Sequence, residues 1–534
     1  MRAHLIAVAG CTALLALGAA ACGGSDDDNQ SSGGGGTPAQ GQGIADTVIL
    51  GTTDKVVSLD PAGAYDLGSQ QLIGNIYQNL LSVPAGGNKP EPDAAESCEF
   101  EDPKTYTCKL KPDLKFSSGD PLTSEDVKFS LERMLKIEDP SGPYTLLGSM
   151  DSVEAPDPLT VTMKLKKADA TWPFILTHNV AAIVPNEIYP EDSKQPDDKA
   201  IGSGPYTLEK YTPNQQAVFK KNPEYNGANE GQTENFIVQY FEQPSALKLA
   251  VENGEVDVAY RSLSPTDIED LRNNGASKGV SVVDGAGTEI RYIVFNVEKK
   301  PVDEKAVRQA IAQVIDRDAI AEIYKGTVTP LYSQVPAAFP GAKESFKDKY
   351  GDPDPAKAKA LLDEAGVSTP VELDGWYTPT HYGPVEADLW NEIKRQLEES
   401  GLFKVNLDST EWDQYKDEAF AKGTYYFYGL GWFPDFPDAD NYLSPFMRDG
   451  GFYANGYTNE EVNSLLDEEL ATDDASAREE AFGKIQDIQA EDVPTIPLWE
   501  GKQVAAVRDG VEGVDKTFDP AFQFRFWVVT KKAD

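Results

Sequence analysis

Few residues of this 534-residue chain are spaced for covalent chemistry. Its three histidines are His4, His178 and His381, and no HExxH or HxxH pair sets two imidazoles on one helix face for a metal. No GxSxG elbow, no phosphate-cradling GxxxxGK loop and no GxGxxG after a strand occurs. Carboxylates are abundant, so a glycosidase-type pair among them carries no signature of its own. The acidic segment Asp435-Phe436-Pro437-Asp438-Ala439-Asp440-Asn441 lacks the ligand spacing of a calcium loop. Its aromatic neighbours Trp432, Phe433 and Tyr442, with Phe436 inside it, argue against a wholly solvated turn. No catalysis, metal or cofactor is expected.

Cysteine chemistry is more informative. The chain has four cysteines: Cys11, Cys22, Cys98 and Cys108. Residues 96–109 read as two short strands around Glu101-Asp102-Pro103-Lys104. Cys98 and Cys108 then face each other across a hairpin and are expected to form a disulfide in an oxidising compartment. Two thiols with no nearby histidine make a poor zinc site. Residues 5–21 are apolar and uncharged, follow Arg2 and His4, and are too short for a stable span; they read as a secretory signal. Ala19-Ala20-Ala21-Cys22 resembles a bacterial lipobox, with Ala19 where Leu is usual, so Cys22 is the expected lipidation site. An ordinary cleaved signal is the alternative. Residues 23–43 (GGSDDDNQSSGGGGTPAQGQG) hold almost nothing that enters a core and read as a flexible tether of roughly 25 Å reach. No other stretch is apolar enough to span a bilayer, so the only membrane attachment expected is lipid.

The charge balance is −40, from 48 Lys plus Arg against 88 Asp plus Glu. Such a chain is a poor partner for phosphate backbones or anionic lipid. The acidity itself reads as solubility. Hydrophobic residues make up 40% and charged residues 25%, a globular composition at a length that suggests about three lobes.

The elements that must position any site follow from periodicity. Val48-Ile49-Leu50 reads as a buried strand, and residues 72–81 have helical apolar spacing. Residues 105–116 alternate as strands, and 151–165 as a hairpin turning at Ala155-Pro156-Asp157-Pro158. Thr123-Ser124-Glu125-Asp126 opens a helix whose stripe is Val127, Leu131, Met134 and Leu135. Asp303 caps an expected helix through Tyr324, with Val307, Ile311, Val314, Ile315 and Ile320 on its core face. Asp354-Pro355 starts a helix that Gly366 ends. Val385, Leu389, Ile393 and Leu397 step by four. Thr458…Glu461 and Ser476…Glu479 spell capping boxes. Val405–Leu407 and Tyr425–Leu430 read as strands. The whole is mixed α/β without an internal repeat.

Several blocks, in order, resemble the family 5 extracellular solute-binding proteins, the dipeptide- and oligopeptide-binding lipoproteins of ABC importers. They are Ser58-Leu59-Asp60-Pro61, Asn75–Leu81, Leu114–Val127, Gly202-Ser203-Gly204-Pro205-Tyr206, Asn222-Pro223-Glu224-Tyr225, Asn253–Asp257, Val307–Ile311, Ala358–Gly366 and Ile496-Pro497-Leu498-Trp499. The resemblance covers roughly residues 46–530. It implies a two-lobed periplasmic-binding-protein-like clamshell with an extra subdomain inserted in the first lobe. Residues 46–75, 200–285 and 500–534 would form lobe I, 76–199 the subdomain and 286–499 lobe II. Residues 1–21 would be the signal, and 22–45 the lipidated cysteine and tether. The chain would cross between lobes near Arg291–Asn296 and Pro494–Trp499.

The resemblance also implies a mechanism and a site. A lipid-anchored monomer on the outer face of the cytoplasmic membrane (cell surface or periplasm) captures a peptide between its lobes and hands it to an ABC permease. In peptide-binding relatives an Asp shortly after a Gly-Trp pair meets the ligand's ammonium; Gly431-Trp432-Phe433-Pro434-Asp435 matches, which singles out Asp435. Trp412 and Trp432 would wall the pocket, and Tyr65 and Leu67 would meet ligand backbone. His381 lies near a cleft segment. No cation precedes Gly431, and Arg291 is the candidate for the ligand's carboxylate, with a structural ion pair as its alternative. The same fold holding an oligosaccharide or another small solute, and a secreted hydrolase, are the competing readings.

Overall fold

A computed structural model describes residues 45–533, apart from 230, 262, 384 and 453. The expected leader, Cys22 and the tether up to residue 44 lie outside the described residues. Two large sheets organise what is described. The first has seven strands in the order Val280–Gly285, Gln503–Arg508, Val258–Tyr260, Thr47–Thr52, Asn235–Tyr240, Gln216–Lys221 and Tyr206–Thr212. Thr47–Thr52 runs parallel to both neighbours, and its alternation buries Val48 and Leu50. The second has six strands in the order Val328–Pro330, Thr495–Gly501, Ile290–Phe295, Phe427–Trp432, Val371–Tyr377 and Phe403–Ser409. Ile290–Phe295 lies inside it and is buried at every residue. Ile293 and Phe295 enter one core, while Ile290, Tyr292 and Val294 enter the other.

A four-stranded antiparallel sheet (Ala95–Asp102, Thr105–Leu110, Thr160–Leu165 and Met150–Asp157) forms the third body, together with helix Ser124–Ile137. Cys98 stands opposite Cys108 in its register and is bonded to it. Thr123 and Asp126 close the capping box of the helix. Asp60, from the Leu-Asp-Pro block, receives Arg133 of that helix in a buried bidentate pair at 2.9 and 2.6 Å.

Local expectations shift in five places. The apolar run 72–81 is helical only to Ile76, in Leu67–Ile76, because Gly204 N–H takes the Ile76 carbonyl at 2.8 Å and the chain turns extended at Tyr77. The expected helix from Asp303 to Tyr324 is two, Lys305–Val314 and Arg317–Ile323. Asp316 caps the second by accepting from Ala319 N–H, and the Gln396 amide satisfies the Asp316 backbone N–H and C=O between the two helices. Asn459 and Asp474, not Thr458 and Ser476, cap Glu460–Leu470 and Ala475–Asp492, each accepting two backbone N–H groups. The second hairpin turns at Pro158-Leu159, after its strand runs to Asp157. Lastly, the chain passes between the large sheets at 286–289 and at Lys502, outside the two stretches expected. Those stretches fall in or beside strands whose ladders leave the backbone little freedom to rotate.

The two crossings touch. Gly501 N–H donates to Glu289 O at 2.8 Å, and Gln503 Nε2 donates to Ala286 O at 2.9 Å. A Cβ on Gly287 would lie 1.2 Å from the Gly501 carbonyl oxygen, so no side chain fits there.

Candidate functional site

A cavity of about 810 Å³ lies where the two large sheets face each other beside the crossings. Tyr65, Leu67, Arg291, His381, Trp412, Gly431, Trp432, Phe433 and Asp435 all line it. They come from five separated stretches, brought together by the ends of strands Ile290–Phe295, Val371–Tyr377 and Phe427–Trp432 and by the start of helix Leu67–Ile76.

Asp435 follows strand Phe427–Trp432 by three residues, in a loop braced by Asn441. Asn441 Oδ1 accepts from Asp435 N–H at 2.8 Å and from Trp432 Nε1 at 3.2 Å, while its Nδ2 donates to Asp435 Oδ2 at 3.2 Å. Tyr65 Oη donates to Asp435 Oδ1 at 2.5 Å, across 370 residues of sequence. No cation pairs with Asp435 among the described residues. Burial pushes its carboxyl up to about 6, against the hydrogen bonds from Tyr65 and Asn441, which hold it down. The site is therefore a set-back carboxylate with two hydrogen-bond donors and no countercharge.

Arg291 is 4% exposed, and its charge is answered inside the protein. Nη1 lies 2.5 Å from Glu289, Nε lies 4.0 Å from Glu386, and the guanidinium sits 4.0 Å over the Tyr382 ring. Burial raises Glu386 to about 7, with Arg291 opposing. Gly431 pairs with Arg291 in the ladder, and a Cβ on Gly431 would meet Nη1 at 2.1 Å. The Gly of the Gly-Trp pair thus makes room for that guanidinium.

His381 stacks on Trp412 with centroids 3.8 Å apart and planes 3° from parallel. Burial lowers its pKa to about 4, with Arg291 and Lys416 adding to the shift, so it is neutral at pH 7 and supplies no cation for a carboxylate. Phe433 meets Phe522 edge to face at 5.3 Å, and the Arg261 guanidinium lies over both rings at 5.5 and 5.3 Å. Arg261 itself is paired with Asp54 at 2.8 Å.

The acidic stretch divides between the cavity and two anchors. Asp438 accepts both Nη atoms of Arg478 at 2.7 and 2.8 Å, and Glu469 takes Nε and Nη2 of the same side chain. Phe436 is 6% exposed and belongs to the core of the four-stranded sheet, where it packs with residues drawn otherwise from 62–201. Sequence reasoning missed Arg261, Tyr382, Glu386, Phe420, Phe452 and Phe522. Nothing in their local spelling marks them, although Tyr382 adjoins His381 in its cleft segment and Asn441, also missed, ends the acidic segment already singled out.

Residues 89–454 match the family described as bacterial extracellular solute-binding proteins, family 5 Middle. Di/tripeptide-binding protein 1 of Pseudomonas aeruginosa (strain UCBPP-PA14) is 27% identical over 491 residues, covering 86% of this chain and 89% of that protein. The glutathione-binding protein GsiB of Salmonella paratyphi A (strain ATCC 9150 / SARB42) is 26% identical, covering 90% and 94%. Among solved structures, HbpA2 from Haemophilus parasuis superposes with a TM-score of 0.80 at 23% identity, over 91% of this chain and 100% of the other. The two-lobed fold expected from the sequence is the one these structures share.

Proposed function

The chain belongs to the bacterial extracellular solute-binding proteins of family 5, and from that footing we propose that its solute is a peptide held by its ammonium at Asp435. One observation carries the reading: a set-back carboxylate on the cavity wall with two neutral donors and no cation among the described residues. Such a group needs a positive partner, and a peptide's α-ammonium supplies it through charge-assisted hydrogen bonds. The names of the relatives, a di/tripeptide binder and a glutathione binder, favour the same class.

In this reading residues 46–75, 200–285 and 503–534 form lobe I, 76–199 its subdomain and 290–501 lobe II, the expected bounds moving because strand Thr495–Gly501 lies in the six-stranded sheet. The lobes rotate about the crossings at 286–289 and Lys502, and a ligand that touches both lobes favours the closed arrangement. Tyr65 and Leu67 approach from lobe I; Trp412, Gly431, Trp432, Phe433 and His381 wall the cavity from lobe II. The protein performs no chemistry on its ligand. It works as a monomer outside the cytoplasmic membrane, anchored through Cys22, and delivers the ligand to an ABC permease. No described helix is long and apolar enough to cross a membrane.

A thermal-shift titration with di- to pentapeptides tests this. Saturating peptide at 100 times Kd should stabilise the protein by about 2.7 kcal/mol and raise its Tm. Asp435→Ala should weaken binding by ~2–5 kcal/mol. Unaltered peptide affinity in Asp435→Ala would dispose of the ammonium assignment, and peptide consumed during incubation would dispose of the non-enzymatic reading.

A further inference from the structure

We infer that Glu469 is a neutral acid in the folded protein, and that the proton it shares with Asp440 clasps together the helices behind the Asp435 loop. The inference does not depend on which solute the cavity takes.

Asp438, Asp440, Glu469 and Arg478 are all buried, Glu469 completely. Three carboxyl groups thus share one guanidinium. Arg478 spends Nη1 and Nη2 on Asp438, and Nε and Nη2 on Glu469 Oε2, at 2.7 to 2.9 Å. Asp440 and Glu469 are side-chain partners of each other. Yet Asp440 Oδ1 and Glu469 Oε1 are buried oxygens with no hydrogen-bond donor among the described residues. Ionised carboxylates only accept, so a contact between two of them needs a proton. Without it, two like charges would stand buried against each other.

The helix ends decide which group holds the proton. Asp440 opens helix Asp440–Met447, where the dipole favours a negative charge, and Ser444 hydrogen-bonds it. Glu469 is the last residue but one of helix Glu460–Leu470, where the dipole opposes a negative charge. Burial and the charge of Asp440 raise Glu469 to about 10, against Arg478 and with a further push from Asp438. The groups facing the pair are therefore Asp438 from the loop, Ser444 from the helix of Asp440, and Arg478 from helix Ala475–Asp492. On the side of the four-stranded sheet, Leu470 O accepts Ala170 N–H at 3.0 Å, and the adjacent Asp169 accepts from Thr171 N–H and Oγ1.

The clasp reaches the cavity through the next residue in the chain. Asn441, which braces both Asp435 and Trp432, directly follows Asp440. Losing the proton would set Asp440 against Glu469 and shift that brace.

Urea unfolding from pH 7 to 9 and infrared spectra at pH 8.5 test this on the wild type, Glu469→Gln and Asp440→Asn. The unfolded chain releases a proton that the folded one keeps, so stability falls as pH climbs from the ordinary carboxyl range towards 10. The wild-type unfolding constant should accordingly rise tenfold per pH unit relative to that of Glu469→Gln. The wild type should also show a carboxylic-acid carbonyl band that Glu469→Gln lacks. Asp440→Asn supplies a donor of its own, so it should let Glu469 ionise and lose the band too. Equal pH slopes in the wild type and Glu469→Gln, or the same carbonyl band in all three proteins, overturns the inference. So does a Glu469→Gln protein that fails to fold, because the amide is the neutral isostere and donates in the proton's place.

Discussion

Asp435 is a carboxylate to which the described residues supply donors but no countercharge, and its pH behaviour follows from that. Its pKa without ligand is about 6, and only the ionised form attracts an ammonium. Peptide affinity should therefore be flat from about pH 7 to about 8. It should fall towards tenfold per unit as pH drops below 6, while above ~8 the ligand's own α-ammonium deprotonates. Calorimetry between pH 4.5 and 7.5 checks the lower limb; a constant Kd from pH 5 to 7 contradicts the assignment. At the same scale, Arg291 shows why a lone cation in a sequence is ambiguous. Its residue type suits a ligand carboxylate, but Glu289 at 2.5 Å and the Tyr382 ring at 4.0 Å already surround it. Neither partner is signalled by its spacing from Arg291.

At the scale of elements, the loop from Phe433 to Ala439, which leads into helix Asp440–Met447, joins three bodies. Phe433 meets Phe522 beside the seven-stranded sheet, Phe436 enters the core of the four-stranded sheet, and Asp438 is tied to Arg478 of helix Ala475–Asp492. Asp435 sits between those anchors. Phe436→Ala should therefore weaken every ligand together by ~1.5–3 kcal/mol, the worth of the lost burial, and expand the unliganded protein in solution scattering. A change confined to one ligand class, or an unchanged scattering profile, would argue against this coupling. Much at this scale was readable beforehand. Thr123 with Asp126, and Asp354 with Pro355, act as their spelling suggests because a cap is a contact within four residues. Readings that named the wrong cap, Thr458 for Asn459 and Ser476 for Asp474, erred where several polar residues stand side by side and the backbone path selects one.

For the molecule as a whole, the touching crossings control how the two large sheets are joined. Gly287→Ala forces its new methyl into the Gly501 carbonyl. It should destabilise the protein by about 1–3 kcal/mol in urea unfolding, as overpacked sites do, and change ligand affinity although Gly287 is not among the residues lining the cavity that holds Asp435. A variant with wild-type midpoint and wild-type Kd would show that the crossings tolerate displacement. Periodicity, capping residues, the facing cysteines of one hairpin and the family's ordered blocks were legible in the chain because each is a short-range regularity. They sufficed for the α/β class and the two-lobed architecture, and they singled out the stretch around the Gly-Trp pair that lines the cavity. The meeting of Tyr65 with Asp435 across 370 residues, the burial of Phe436 in a distant core and the pairing of Arg291 with Glu386 belong to the folded molecule alone. Contacts between remote segments depend on how sheets and helices pack, and no local pattern records which surface will arrive opposite which.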